Sequence, residues 1–179
     1  YGRISVPYAD KTVTEITCHA LGAVHLFQHP DLTVIDIGGQ DTKIIQIEQG
    51  FVKDFIMNDK CAAGTGRFLE VMANTLSLRP NEMFDLARLG SDTTISSMCT
   101  VFAESEVIGL IGKGEPKENI AYAVVNSTIR KVAAQVSRMN GEMFTFCLTG
   151  GLCECDYIRE ALSKELGKDV FSCPDARYA

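Results

Sequence analysis

The hydrophobic positions along the chain predict an antiparallel group of strands near the start. The β-branched stretch 32–37 ends at two glycines, which is typical of a buried strand followed by a tight turn. Two further apolar stretches, 43–47 and 51–56, are separated by Gln49-Gly50, a sequence suited to a hairpin. We therefore expect a three-stranded meander, preceded by a helix over 14–28 that has apolar residues on one face.

Helical periodicity dominates the middle of the chain. Apolar residues recur every three or four positions and predict helices over 66–76, 81–89, 102–111 and 116–140. For the second of these, Asn81 is a suitable N-cap and Gly90 a suitable stop. A strand over 144–149, a helix over 157–166 and a short strand over 169–171 complete the pattern. This order predicts a mixed α/β fold with helices packed on a sheet.

The composition is that of a packed globular protein, with 46% apolar and 22% charged residues. A net charge of −6 argues against nucleic acid or an anionic membrane surface as the main partner. The apolar stretches are too short to cross a membrane, and the first residues lack the apolar segment of a signal peptide. We therefore expect a cytoplasmic protein with no nucleic-acid and no membrane partner.

Two of the predicted strands end in a pair of glycines, Gly38-Gly39 and Gly150-Gly151. Because glycine has no Cβ, backbone N–H groups at such a turn can approach an anion such as a phosphate. In the first segment, Asp36 could hold Mg²⁺ through water, and Gln40 could orient a water or contact a terminal phosphate. The alternative for each segment is a tight structural turn, with Asp36 an incidental acid.

Seven cysteines, an odd and scattered set, argue against a disulfide framework. Two of them, Cys61 and Cys99, are predicted to stand just before helices, where the helix dipole favours a metal-binding thiolate. Two ligands do not complete a four-thiolate site, so such a site would need a second chain. The alternative is that both are buried or merely reactive cysteines.

Five segments together resemble one known family. They are Thr17–Ala20, Asp36–Asp41, Met57–Glu70, Cys99–Val107 and Thr149–Gly151. In these segments the chain closely resembles the activator ATPases of 2-hydroxyacyl-CoA dehydratases, a family that also includes the ATPase subunits of benzoyl-CoA reductases.

The resemblance implies an actin/Hsp70/sugar-kinase-like (ASKHA) ATPase fold, with Mg-ATP in a cleft between two lobes. Asp36–Asp41 matches the second phosphate loop of that fold, and Gly150-Gly151 matches its adenosine loop. The resemblance also implies a homodimer that shares one [4Fe-4S] cluster, with Cys61 and Cys99 as each subunit's ligands. Such an activator takes an electron from a ferredoxin or flavodoxin and, driven by ATP hydrolysis, delivers it at low potential to the dehydratase or reductase component.

The sequence departs from the family pattern at one place, because the N-terminal phosphate loop is absent. We therefore expect one incomplete ATPase domain over 1–179, with about 1–30 as the end of the first lobe and about 31–179 as the second. Two alternatives stay open: a cluster-free phosphotransferase or chaperone-like ATPase of the same superfold, and a non-catalytic dimerisation fragment. Cys61 and Cys99 favour the iron–sulfur activator over the cluster-free ATPase.

Overall fold

The computed structural model describes residue 8 and residues 10–58, 60–96, 99–140 and 144–179. Its elements, in chain order, are α1 (Glu15–Phe27), β1 (Leu32–Ile37), β2 (Thr42–Glu48), β3 (Phe51–Asn58), α2 (Gly66–Thr75), α3 (Pro80–Ala87), α4 (Thr100–Gly112), α5 (Lys117–Val136), β4 (Thr145–Gly150), α6 (Asp156–Leu166), β5 (Val170–Phe171) and a 3₁₀ helix, Pro174–Tyr178. Among the described residues, no helix has both the length and the apolar character needed to cross a bilayer.

The strands form one sheet in the order β3-β2-β1-β4-β5. β1, β2 and β3 pair antiparallel, which confirms the predicted meander. β4 then pairs with β1 in parallel, with Ile37 opposite Gly150 at the end of the two strands. β5 continues in parallel beside β4. This mixed sheet confirms the predicted α/β class.

Helices cover both faces of the sheet, so its central strands are buried throughout. Alternate residues of β1 and β2 point to opposite faces. On one face α1 packs over a small core made of Ala20, Ala23, Leu32, Val34, Ile45, Ile47 and Cys147. On the other face a larger core joins Ile35, Ile37 and Ile44 to the apolar sides of the other helices. Burial on both faces explains why β1 and β2 carry apolar residues on both faces of the sheet rather than on one.

The start of α3 differs from the prediction, because Asn81 is not its N-cap. The N-cap is Arg79, whose backbone N–H donates to the Glu82 carboxylate at 2.7 Å. Pro80 follows in the first turn, where its fixed φ suits a helix and its missing N–H costs nothing. These two residues set the start of the helix, which leaves Asn81 inside its first turn.

Gly90 does not end α3, which already stops at Ala87. It instead permits a close approach between the loop after α3 and the start of α5. A Cβ on Gly90 would overlap the backbone carbonyl of Glu118. The glycine is therefore required by packing between two backbones.

Gly90→Ala should lower the free energy of unfolding by about 1–3 kcal/mol, because neither backbone can yield easily to the added methyl group. Gly109→Ala is the matched control, since a Cβ there meets no atom within 4 Å inside α4. That control should raise stability by up to about 1 kcal/mol through helix propensity. Urea denaturation measures both, and equal stability of Gly90→Ala and the wild type would contradict the packing argument.

Candidate functional site

Parallel pairing places the two glycine pairs at the same edge of the sheet. Ile37 lies opposite Gly150, so Gly38-Gly39 and Gly150-Gly151 leave neighbouring strands side by side. In open α/β sheets, ligands bind outside the carboxyl ends of parallel strands. The sequence could identify the two turns but not their adjacency. After the second turn, α6 begins at Asp156, in agreement with the helix predicted over 157–166.

Within each pair the two glycines have different structural roles. A Cβ on Gly38 would overlap the Asp41 carboxylate, and a Cβ on Gly150 would lie 2.5 Å from Asp36 Oδ1. Gly150 also has a φ of +81°, which favours glycine. By contrast, a Cβ on Gly39 or Gly151 would meet nothing within 4 Å. The first glycine of each pair therefore shapes the turn, and the second leaves open space beside the backbone.

The Gly38-Gly39 turn is hydrogen-bonded to the start of α2. The backbone N–H of Gly66 donates to Gly38 O at 2.9 Å, and that of Arg67 donates to Gly39 O at 2.8 Å. Gly66 approaches so closely that its own Cβ position lies 3.2 Å from Gly38 O. The turn and the first turn of α2 therefore behave as one unit. Gln40, predicted to contact a water or phosphate, is exposed next to this unit, and its role stays a prediction.

Asp36 lies at the centre of a buried polar cluster. Its carboxylate accepts from Lys43 Nζ at 3.3 Å and from Thr149 Oγ1 at 3.2 Å. Lys43 also contacts Asp41 at 2.8 Å and Glu15 at 3.1 Å. Burial alone would lower the pKa of Lys43, but its hydrogen bonds to Asp41 and Glu15 and the charge of Asp36 outweigh this and raise it. Lys43 is therefore a permanent cation facing three carboxyl groups.

Sequence reasoning selected Asp36 from this cluster and missed its partners. One signal was available for Lys43, because a lysine within the apolar stretch of β2 is unusual unless it is paired. Asp36 and Lys43 are direct neighbours in the β1–β2 ladder, so the hairpin register would have identified the pair. No local signal pointed to Thr149, whose contact with Asp36 depends on the parallel pairing of β4.

His19 of α1 also contacts this cluster. Its Nε2 lies 2.9 Å from Thr149 Oγ1 and 4.0 Å from Asp36 Oδ1. Since Thr149 donates to Asp36, its oxygen remains free to accept from a protonated Nε2. Burial lowers the pKa of His19 below its ordinary value of 6.5, and this effect exceeds the opposing influence of Asp36. The imidazole is therefore a neutral donor in the folded protein.

The two predicted metal ligands occupy different settings. Cys99 is the exposed N-cap of α4, as expected. Cys61 is half-buried in the loop that precedes α2, which begins at Gly66 as predicted. The N-terminal N–H groups of Gly66 and Arg67 are already bonded to the Gly38-Gly39 turn. The dipole of α2 therefore acts mainly on that turn.

The Cys61 loop is held in place by neighbours from β3 and α5. Asn58 Nδ2 donates to Cys61 O at 2.9 Å and to Ala63 O at 3.2 Å. Lys131 Nζ donates to Cys61 Sγ at 3.8 Å. A sulfur that faces a cation suits the negative charge of a metal-bound thiolate, and thiolate ligands suit iron. The residues therefore fit two ligands of an iron–sulfur group.

No set of three or more metal-ligating side chains comes together within the described part of the chain. Burial raises the pKa of the thiols of Cys147, Cys153 and Cys155, which favours their protonated form. Cys61 and Cys99 are not among these three, and a four-thiolate site built on them would need further ligands from another chain.

A cavity of about 530 Å³ opens beside Gly151, between α3 and the segment that leads into α6. Arg88 and Tyr157 form one wall, with the guanidinium carbon 5.1 Å from the ring centroid. Glu160 fixes Arg88 through an ion pair at 3.0 Å. The volume is within the range of small-molecule sites.

The neutral state of His19 predicts a pH-dependent stability. Below about pH 6.5 the unfolded chain takes up a proton that folded His19 resists, so stability should fall as pH is lowered from about 7 to 5. His19→Asn should reduce this slope by up to one proton, or about 1.4 kcal/mol per pH unit. His25→Asn, at an exposed position of the same helix, is the control. Urea denaturation at several pH values tests the prediction, and an unchanged slope in His19→Asn would contradict it.

Comparison with known proteins agrees with this architecture. The model of the BadF/BadG/BcrA/BcrD ATPase family matches residues 1–179. The chain is 45% identical to the (R)-2-hydroxyglutaryl-CoA dehydratase activating ATPase of Acidaminococcus fermentans, covering 99% of this chain and 68% of that protein. It superimposes with a TM-score of 0.87 on the activator of the 2-hydroxyisocaproyl-CoA dehydratase from Clostridium difficile with bound ADPNP, at 36% identity, covering 99% of this chain and 66% of that one.

The chain thus spans about two thirds of the length of the relatives it matches. A more distant likeness, to xylulose kinase from Lactobacillus acidophilus, has a TM-score of 0.58 at 12% identity, covers 90% of this chain and 38% of that one, and shows the fold alone. The resemblance and the ASKHA fold inferred from the sequence are both confirmed. The chain belongs to the BadF/BadG/BcrA/BcrD ATPase family and has its actin-like ATPase fold.

Proposed function

We propose that this chain is the nucleotide- and cluster-binding part of an ATP-driven electron-transfer activator. Its acceptor would be a 2-hydroxyacyl-CoA dehydratase or a related acyl-CoA reductase, as the names of its relatives suggest. The observation that supports this most is the pair of glycine turns, which lie side by side and each leave open space at the second glycine. Residues 31–179 would form the second lobe of the ATPase, and about 1–30 the end of the first.

The nucleotide would lie along the edge formed by the two turns. The backbone N–H of Gly39 would face the phosphates, because that of Gly38 already donates to Asp41 O at 3.0 Å. Gly150-Gly151 would lie against the adenosine. The cavity beside Gly151 has room for the base. A structural relative that holds ADPNP supports an adenine nucleotide as the ligand.

Asp36 and Gln40 would be the catalytic residues of ATP hydrolysis. Carboxylate oxygens are ligands that Mg²⁺ prefers, and the carboxyl groups around Lys43 outnumber the single ammonium. Lys43 and Thr149 would hold Asp36 in one orientation, so that it positions the metal through a bound water. Gln40, exposed at the turn, would orient the attacking water.

Cys61 and Cys99 would each supply a thiolate to a [4Fe-4S] cluster shared by two subunits. When bound, such a cluster accepts and releases one electron. The surface of α4, the helix whose N-cap is Cys99, supports a homodimer, because Val101, Phe102 and Ile108 are 66%, 67% and 56% exposed there. A helix that is apolar on its exposed side needs a partner surface.

The contacts between the two sites offer a route by which ATP could influence the cluster ligand. The Gly38-Gly39 turn bonds to Gly66 and Arg67, a few residues after Cys61. Thr42, at the other end of the same turn, donates from Oγ1 to Gly64 O at 2.7 Å. A shift of the turn on phosphate binding would therefore displace the backbone at Gly64, Gly66 and Arg67, which follow Cys61 in the chain.

The electron would come from a ferredoxin or flavodoxin in the cytoplasm.

Gly39→Val tests the phosphate assignment. The structure leaves room for the valine, so the melting temperature should stay close to that of the wild type. The branched side chain would occupy the space of the phosphates, so affinity for Mg-ATP should fall at least about tenfold, which corresponds to about 1.4 kcal/mol. Titration calorimetry with Mg-ADPNP measures the affinity. Wild-type binding by the stable variant would reject the assignment.

Substitution of the cysteines tests the cluster. Cys61→Ser and Cys99→Ser should each remove the iron that the wild type takes up on anaerobic reconstitution, about four atoms per dimer for one [4Fe-4S] cluster. Cys155→Ser, another half-buried thiol, is the matched control and should keep its iron, as should Cys147→Ser and Cys153→Ser. Full iron content in either ligand variant would exclude the shared cluster. A wild type that binds ATP but no iron would support the cluster-free ATPase.

A further inference from the structure

Lys131 brings a positive charge to the sulfur of Cys61. It lies on α5, 70 residues away in sequence, and its Nζ donates to Cys61 Sγ at 3.8 Å. Lys131 is itself half-buried. Because water is partly excluded there, its charge acts on the sulfur more strongly than that of a fully exposed lysine.

The backbone of the Cys61 loop is shaped to accept this lysine. Gly64 has a φ of +88°, and its absent Cβ would lie 3.2 Å from Lys131 Cγ and 3.4 Å from Cδ. The lysine stem therefore crosses the loop at a glycine and delivers the ammonium to the sulfur. Contact with both Gly64 and Cys61 shows that the arrangement involves the whole side chain rather than its terminus alone.

The cavity beside Lys131 offers it no competing acid among the lining residues that the structure describes. It lines a cavity of about 240 Å³ together with Asn58, Gln135 and Arg138, and none of the described lining residues is acidic. Lys43 differs from Lys131 in this respect, because it is paired with three carboxylates. The described polar partner of Lys131 is a thiol, which fits a sulfur that carries negative charge in the working protein.

We infer that Lys131 is a positioning residue that sets the reduction potential of the group bound by Cys61, an inference that rests on the proposed cluster. Net charge, hydrogen bonds to the ligand sulfurs and solvent exposure set the potentials of thiolate-bound iron–sulfur groups. An added electron makes such a group more negative, and a nearby ammonium stabilises the added charge. Lys131 therefore raises the potential and keeps the cluster reducible by a low-potential donor protein.

Neutral and charged substitutions at residue 131 separate charge from shape. Lys131→Met removes the charge and keeps an unbranched stem over Gly64. Lys131→Gln also removes the charge but retains an N–H donor, whereas Lys131→Arg keeps both. Arg138→Met is the matched control, because Arg138 lines the same cavity just beyond the C-terminal end of α5.

The measurement is a redox titration of the anaerobically reconstituted protein, followed by visible absorbance, with iron content and circular dichroism recorded for each variant. Lys131→Met should shift the midpoint potential to a more negative value, Lys131→Gln should shift it in the same direction, and Lys131→Arg and Arg138→Met should stay near the wild type. Equal potentials in the wild type and a fully loaded Lys131→Met would overturn the inference and leave the cluster intact. Equal shifts in Lys131→Met and Arg138→Met would overturn it as well, since any nearby charge would then suffice. A wild type without a cluster would overturn the proposed function itself.

Discussion

The parallel pairing of β1 with β4 is the constraint on which the candidate site depends. These strands are far apart in sequence, yet their register places Ile37 opposite Gly150 and Asp36 opposite Thr149. One alignment therefore brings the two glycine turns together and gives Asp36 its hydroxyl partner. The pairing is stabilised by apolar residues on both faces of the sheet. A slip of one residue would turn those side chains to the wrong faces and separate the polar contacts.

The second organising feature is the bonding of one turn to the start of α2. Helix N-termini commonly bind anions, but here the N–H groups of Gly66 and Arg67 hold the carbonyls of Gly38 and Gly39. The glycine turn thereby gains a fixed shape, to which the bond from the Gly38 N–H to Asp41 O also contributes. The same bonds fix the loop that contains Cys61. The turn proposed to bind phosphate and the loop proposed to bind the cluster are thus connected by backbone hydrogen bonds.

Local patterns predicted the elements well and their contacts poorly. The β-branched stretch before Gly38 defined β1, and regular apolar spacing defined the helices, because both signals depend on neighbouring residues. The start of α3 was misplaced because Pro80 and the bond from Arg79 to Glu82 determine it, and Asn81 has no part in them. The cysteine and glycine motifs were recognised through their resemblance to a family. Secondary-structure propensities carry no such information.

The partners of the motif residues could not be predicted in the same way. Thr149 meets Asp36, and Lys131 meets Cys61, only after distant elements have packed. His19 reaches the site because α1 lies over the sheet, a placement that its own sequence does not specify. Lys43 was the exception, since the hairpin that joins β1 and β2 fixes its position opposite Asp36. Sequence reasoning thus identified Asp36 and Cys61 but not the residues from distant elements that contact them.

The Asp36–Lys43 pair has a consequence for the evolution of this hairpin. Both side chains are at most 6% exposed, but Lys43 also contacts Asp41 and Glu15, whereas Lys43 is the cation that faces Asp36. Loss of Lys43 alone would leave a buried carboxylate without its cation, which is strongly destabilising. Loss of Asp36 alone would leave Lys43 with two carboxylates. Substitution of Lys43 is therefore selected against wherever Asp36 is kept, even before activity is considered. Among sequences that keep this register, an acid at position 36 should be accompanied by a cation at position 43.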